Sequence, residues 1–151
     1  MPNERLTLRP FQAQDFPAYR AWYADDRLNR HLGPMDDDWL DHVLSDVRGE
    51  QWALLSGGEL RAVIGLVPDD RPEAPAGSWL VTDLAVAPSL RRQGWGRRAW
   101  QSLTALPRMQ ARRWHAIVAS DNPQALAFFQ AMGFRITRQP QAEDPFWLLA
   151  G

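Results

Sequence analysis

The 151-residue chain contains no cysteine, and all 17 of its lysine-plus-arginine residues are arginine. Without thiols there is no disulfide framework, no thiolate nucleophile and no cysteine-based zinc site. Without lysine there is no side-chain amine to act as base, nucleophile or acylation target, and no P-loop ending in Gly-Lys-Ser/Thr. Histidine occurs only at His31, His42 and His115, too scattered in sequence to suggest a metal centre. No apolar run approaches the roughly 18 residues a membrane span needs. The opening MPNERLTLRP also lacks the apolar core and cleavage site of a secretory leader. The expectation is a cytoplasmic chain that uses neither metal nor membrane.

What is present fits one globular domain spanning residues 1–151. Hydrophobic residues make up 45% and charged residues 23%, close to the globular average. The formal charge is only -1, yet it is unevenly spread. Residues 1–90 carry eight arginines against fifteen acids, and residues 91–151 carry nine against three. Such asymmetry points to two binding regions of opposite sign, or simply to solvated helix faces.

Leu6-Thr7-Leu8-Arg9 alternates like a half-buried strand that ends at Pro10. Asp15 and Pro17 then open a helix carrying Phe16, Tyr19, Trp22 and Tyr23 at helical spacing, and Asp36-Asp37-Asp38 precedes a second helix that runs towards Gly49. Ser56-Gly57-Gly58-Glu59 between two apolar runs reads as a β-hairpin turn, and Pro68 to Gly77 as a loop. Downstream, Ser78–Val86 and Trp114–Ala119 read as buried strands. Gln93–Leu106 and Asn122–Met132 read as helices, the second ended by Gly133. Phe134–Thr137 is a further strand, and Pro145–Ala150 reads as a last strand at the sheet edge. Its Phe146 and Trp147 would offer a pairing surface for a homodimer. The order gives one mixed α/β sheet.

The stretch Arg91-Arg92-Gln93-Gly94-Trp95-Gly96-Arg97-Arg98 falls between a strand and a helix, where several backbone N–H groups have no helical partner. Glycines let a ligand approach the main chain, while the helix dipole and the guanidinium forks of Arg91, Arg92 and Arg97 attract phosphate. The physical expectation is a pyrophosphate site. A dinucleotide fingerprint fits formally as G-x-G-x-x-A from Gly94 to Ala99, but seven residues separate the strand from the first glycine and too few strands follow. Nucleic-acid binding is disfavoured by the near-neutral charge and by arginines gathered at one loop.

Four pieces in order, Asp83 to Pro88, Arg91-Arg92-Gln93-Gly94-Trp95-Gly96, Asn122 to Phe129, and Gly133-Phe134, resemble the GNAT superfamily of acyl-CoA-dependent N-acetyltransferases. Arg91, Gly94 and Gly96 match its Gln/Arg-x-x-Gly-x-Gly/Ala hallmark, and Leu6 to Pro10 with Asp15 is similar to its opening. The resemblance implies a GNAT-like, mostly antiparallel twisted sheet of six to seven strands with about four helices, its central strands splayed around coenzyme A. It also implies that the amides of Arg92, Gln93, Gly94, Trp95, Gly96 and Arg97, with Arg91, hold the pyrophosphate of acetyl-CoA. The pantetheine arm would run past the backbone of Leu84, Ala85 and Val86, with a β-bulge freeing those groups. Asn122 would bond the same arm, or serve as a helix N-cap, or both.

Acyl transfer to an amine needs that amine neutral, the reactants close and the developing oxyanion stabilised. With neither cysteine nor lysine, direct attack in a ternary complex is the natural route. Asp83, a lone acid in an apolar strand, is the candidate base, unless it serves only to bond its neighbours. Many relatives carry a tyrosine where Phe129 stands beside the coenzyme, and phenylalanine has no hydroxyl to give the departing thiolate. Tyr23, Ser120 or water would have to substitute, or the chain is a non-catalytic acyl-CoA sensor. The acceptor is expected to be a small-molecule or a peptide amine. The acidic N-terminal half favours a cationic one, with Tyr19, Trp22 and Tyr23 either lining its pocket or packing the core.

Overall fold

The computed structural model describes residues 5–151. Seven strands form one sheet in the order β1-β2-β3-β4-β5-β7-β6. They are β1 (Leu6–Pro10), β2 (Glu50–Ser56), β3 (Glu59–Pro68), β4 (Ser78–Val86), β5 (Arg113–Ala119), β6 (Arg135–Arg138) and β7 (Phe146–Ala150). Every neighbouring pair is antiparallel except β4 and β5, which run parallel. The helices are α1 (Phe16–Ala21), α2 (Asp26–Leu32), α3 (Asp37–Ser45), α4 (Trp95–Thr104) and α5 (Pro123–Ala131). Among the described residues no helix is long and apolar enough to cross a membrane.

Local chemistry accounts for most of these elements. Gly57 and Gly58, at φ 58° and 80°, supply the left-handed turn that joins β2 to β3. Asp25, Asp36 and Asn122 cap α2, α3 and α5 through side-chain oxygens that accept from Leu28, Trp39 and Ala125 amides. In α4, Trp95, Ala99, Trp100 and Leu103 fall on one face and are buried. Gly133, at φ 99°, ends α5, with the Phe134 amide folding back 2.9 Å onto the Phe129 carbonyl.

The sheet is packed on both faces. One face carries α4 and α5 over Trp52, Leu54, Ile64, Leu66, Val81 and Val118. The other carries the N-terminal helices, whose Phe16, Tyr19, Tyr23 and Leu28 pack with Phe11 of the preceding loop on Ala53, Val63 and Ala85. A register shift opposite Gly65 and Leu66 leaves Thr82 as an extra residue in β4, so that Gly65 faces Asp83 and Leu66 faces Val81. Side chains alternate faces along a strand, and the extra residue inverts that alternation. Val81 points to the α4 face, whereas Ala85 joins the N-terminal helices. Asp83 turns with Ala85.

Two expectations change. The last strand is interior, between β5 and β6, and the sheet edges are β1 and β6. The reason is its composition: Leu149 is fully buried under α4 and α5, and Leu148 and Phe146 make the other face apolar as well. Phe146 and Trp147 therefore form no free pairing edge for a homodimer. The single N-terminal helix expected around Tyr19 is instead a broken run, α1 and a 3-10 turn at Trp22–Ala24, followed by a further helix, α2, that periodicity did not disclose.

Arg9 and Asp15 tie β1 to the start of α1 by a two-pronged pair at 2.7 and 2.8 Å, with the Asp15 side chain only 5% exposed. Burial alone would raise the Asp15 pKa, but the Arg9 fork and the Gln12 amide outweigh it and hold the carboxyl below its ordinary value. A folded-state pKa that is depressed stabilises at pH above the ordinary carboxylate range, and that stability is lost as pH falls through it. Arg9→Ala is therefore expected to cost about 1–3 kcal/mol at neutral pH. In urea unfolding, the difference between variant and parent should shrink as pH falls below the ordinary carboxylate range and through the lowered Asp15 pKa; a difference that stays constant with pH would rule the pair out as the cause.

Candidate active site

β4 and β5 pair only from Ser78–Arg113 to Val81–Ala116, and beyond that point they separate. The gap opens into a cleft of about 640 Å³, a volume suited to a sizeable ligand. The end of β4, Val81 to Val86, forms one wall, and Ile117 to Ala119 form the other. Phe128 and Phe129 of α5 lie on one side, Arg27, Leu28, His31 and Leu32 of α2 on the other. The Ala87 amide donates to Arg61 of β3 at 3.1 Å. Backbone groups alternate sides along a strand, so those of Leu84 and Val86 project from the opposite edge, into the cleft.

The loop after β4 closes one end. The Leu90 amide bonds Ala87 and the Arg98 amide bonds Gly94, but from Arg91 to Arg97 no main-chain amide has a main-chain acceptor among the described residues. Arg92, at φ 65°, and Gly94, at φ 81°, both take the left-handed conformation and curl these donors into a concave run that ends at the positive start of α4. Such a run is an anion cradle. The two glycines do different work. A Cβ at Gly94 would meet nothing, so that position is set by its φ, whereas one at Gly96 would strike Phe128 at 2.9 Å and approach Leu84 at 3.5 Å. Gly96 thus lets α4 and α5 close around the cleft.

The expected coenzyme residues come together, though not all by their side chains. Leu84, Ala85, Val86, Arg91, Arg92, Gly94, Trp95, Gly96, Arg97, Asn122 and Phe129 line the cleft, and Gln93 does not. The Trp95 ring is buried in the core under the guanidinium groups of Arg98 and Arg61, at 4.2 and 5.2 Å from its centroid, which leaves its backbone facing the cleft. Arg91 is committed to Asp25 by a two-pronged pair at 2.6 and 3.1 Å, so it braces α2 against the loop, and Arg92 and Arg97 are the exposed arginines there that line the cleft.

Asp83 also lines the cleft. Its carboxylate accepts from Gln51 Nε2 at 2.9 Å, from Thr82 Oγ1 at 2.9 Å and from the Tyr19 hydroxyl. Burial raises its pKa, and these donors offset the rise only in part. A Cβ at Gly65 would occupy the space of this carboxylate, so glycine opposite the bulge makes room for it. Tyr19 and Tyr23 share a 2.7 Å hydroxyl contact, and both phenols are pushed up, chiefly by burial. Neither tyrosine nor Trp22 lines the cleft; the stripe is core, with Tyr19 supporting Asp83. Ser120 lies outside the cleft as well. Sequence reading did not disclose Gln51, Thr82 or His31. The bulge expected from the resemblance is present, but no local signal placed it at Thr82, and Gln51 is one polar residue in a strand.

A family model described as the acetyltransferase (GNAT) family matches residues 16–134. The chain belongs to that family of acetyltransferases. Solved structures share the fold at low identity. An acetyltransferase from Thermus thermophilus is 23% identical over 97% of this chain and 96% of its own, with a TM-score of 0.75. Arabidopsis thaliana NAA60 in complex with acetyl-CoA is 14% identical over 97% and 98%, with a TM-score of 0.67. A spermidine N-acetyltransferase chimera from Vibrio cholerae and hSSAT is 15% identical over 96% and 92%, with a TM-score of 0.69. No curated protein matches the sequence.

Gly94→Ala is expected to cost about 1 kcal/mol of stability through the strained φ alone. Gly96→Leu should weaken acetyl-CoA binding at least about 10-fold by displacing Phe128 into the cleft. Thermal melts with and without acetyl-CoA separate the two effects, and unchanged affinity in Gly96→Leu would contradict the role given to the close approach.

Proposed function

We propose that this single-domain chain is an N-acetyltransferase that moves an acetyl group from acetyl-CoA to a primary amine by direct attack within a ternary complex. The observation that carries the reading is the fork between β4 and β5, closed at one end by a run of unpaired amides at the start of α4. The residues present fit the coenzyme: a backbone cradle with two free guanidinium groups, Arg92 and Arg97, suits a pyrophosphate. The wall formed by Leu84, Ala85 and Val86, with Asn122 opposite, suits an extended amide-bearing arm. When bound, acetyl-CoA supplies an acetyl thioester, whose C–S bond breaks as the amine nitrogen bonds the carbonyl carbon.

The chain's own groups then have separable tasks. The Leu84 and Val86 main-chain groups that project into the fork position the arm and offer an N–H to the carbonyl oxygen as charge develops there. Asp83 takes the proton that the amine loses, directly or through one water, and its raised pKa improves it as a base. Gln51, Thr82 and Tyr19 orient that carboxylate. Phe129 brings no hydroxyl to the leaving sulfur, so the thiolate departs unassisted or takes its proton from water. Acceptors named for proteins of this fold range from spermidine to a ribosomal-protein alanine, so both small-molecule and peptide amines fit the general chemistry.

A second reading, a non-catalytic acyl-CoA sensor, is favoured by Phe129 alone. Release of free thiol from acetyl-CoA across a panel of amines distinguishes the two. Under the transferase reading, Asp83→Asn lowers kcat at least about 100-fold and leaves coenzyme affinity nearly intact. In the parent, activity is lost as pH falls through the Asp83 pKa, which burial places above the ordinary aspartate value; Asp83→Asn should lose that part of the acid limb and keep only the part set by protonation of the acceptor amine. Coenzyme binding with no amine-dependent thiol release would support the sensor.

A further inference from the structure

The side of the cleft that α2 forms has a charge character that the acidic N-terminal half conceals. The acids of that half are either engaged elsewhere or lie outside the cleft. Asp15 is held by Arg9, Asp25 caps α2 and pairs with Arg91, and Asp121 pairs with Arg30 at 2.7 Å. Asp36 caps α3, and neither it nor Asp37 nor Asp38 lines the cleft. Asp26 faces only a shallow depression outside the mouth, beside Arg30 and Asp121. Among the described residues, the single carboxylate within the cleft is Asp83.

The cations are distributed the other way. Arg91, Arg92 and Arg97 belong to the loop at the start of α4, which leaves Arg27 and His31 of α2 as the other basic side chains that line the cleft. They are one helical turn apart, on one side of α2. Arg27 makes no hydrogen bond or ion pair among the described residues, and only a minor through-space attraction links it to Asp25. An unengaged guanidinium that borders both the cleft and the outer depression is placed to receive an anion. Across from it, Ile117 and Phe146 line the cleft and are 42% and 39% exposed, on the part of the sheet that the N-terminal helices do not cover.

We propose that the acceptor is a primary amine that also carries an anionic group, a carboxylate or a phosphate, which sits on Arg27 and His31 while its apolar portion lies on Ile117 and Phe146. A polycation finds no free carboxylate in this cleft except the one assigned as base. The proposal rests on the acetyl-transfer reading for its chemistry, but the acceptor's charge class is testable by binding alone.

The test uses two matched pairs, L-phenylalanine with L-phenylalaninamide and O-phosphoethanolamine with ethanolamine, plus spermidine. Calorimetric titration of each into the CoA-loaded protein is read beside thiol release from acetyl-CoA. The anionic member of at least one pair should bind about 10-fold or more tightly than its partner, the range expected for a charge-assisted contact. The pair that discriminates tells carboxylate from phosphate. Arg27→Gln should erase the difference with coenzyme affinity unchanged, and Arg27→Glu should turn the preference towards spermidine. Equal binding within both pairs, tighter binding of spermidine to the parent protein, or loss of coenzyme affinity in Arg27→Gln would each overturn the proposal. Arg27-dependent binding of an anionic amine without thiol release would uphold this acceptor class and defeat the transferase reading. Thiol release driven by spermidine alone would do the reverse.

Discussion

Parallel strands stay together only while their hydrogen-bond ladder continues, and in this molecule the ladder between β4 and β5 stops at Val81 and Ala116. Everything functional follows from that interruption. Backbone groups beyond it would be orphaned if buried dry, so the gap is stable only as a wet or ligand-filled cleft. The extra residue at Thr82 lies one position past the last pair, which links the end of the ladder to the inversion of side-chain direction. The same bulge therefore exposes main-chain groups at Leu84 and Val86 and turns Asp83 towards Gln51 and Tyr19. Cleft-facing backbone and candidate base are two results of one irregularity.

The end of the cleft shows how a cradle suited to a polyanion can be built without a single lysine. The donors are main-chain amides curled by Arg92 and Gly94 in the left-handed region, with α4 behind them. Arginines take distinct parts around this cradle. Arg91 ties the loop to the cap of α2, Arg98 and Arg61 cover Trp95, and Arg92 and Arg97 remain exposed to meet a ligand. Because Asp25 both caps α2 and accepts Arg91, the helix that roofs the cleft is fastened to the loop that closes its end. Arg30 and Asp121 fasten the same helix to the β5 side by a single exposed contact, which contributes little stability.

What the sequence disclosed was mostly local chemistry. The Gly57-Gly58 turn, the strand from Ser78 to Val86, the glycine loop before α4, and the Asn122 cap with Gly133 behind it each carry their own signal, and the structure places each where that signal puts it. The features that escaped depend on partners distant in sequence. Nothing local says that Arg91 will meet Asp25, 66 residues away, or that β7 will insert between β5 and β6. Sequence shows the number of acids in the first half and not their engagement; Asp25 and Asp36 are helix caps. The helix α2 is short and polar, too brief for a periodicity to emerge, yet it carries Arg27 and His31 to the cleft.

The central claim is that coenzyme A is held by the unpaired amides at the fork, and amide hydrogen exchange reads those groups directly. Residue-resolved exchange with and without acetyl-CoA should show protection concentrated at residues 91–97 and at the cleft-facing amides of Leu84 and Val86. Amides in β1 and β2 should change little. If saturating acetyl-CoA leaves 91–97 exchanging as fast as in the free protein, the cradle does not hold the coenzyme and the functional reading built on it is contradicted.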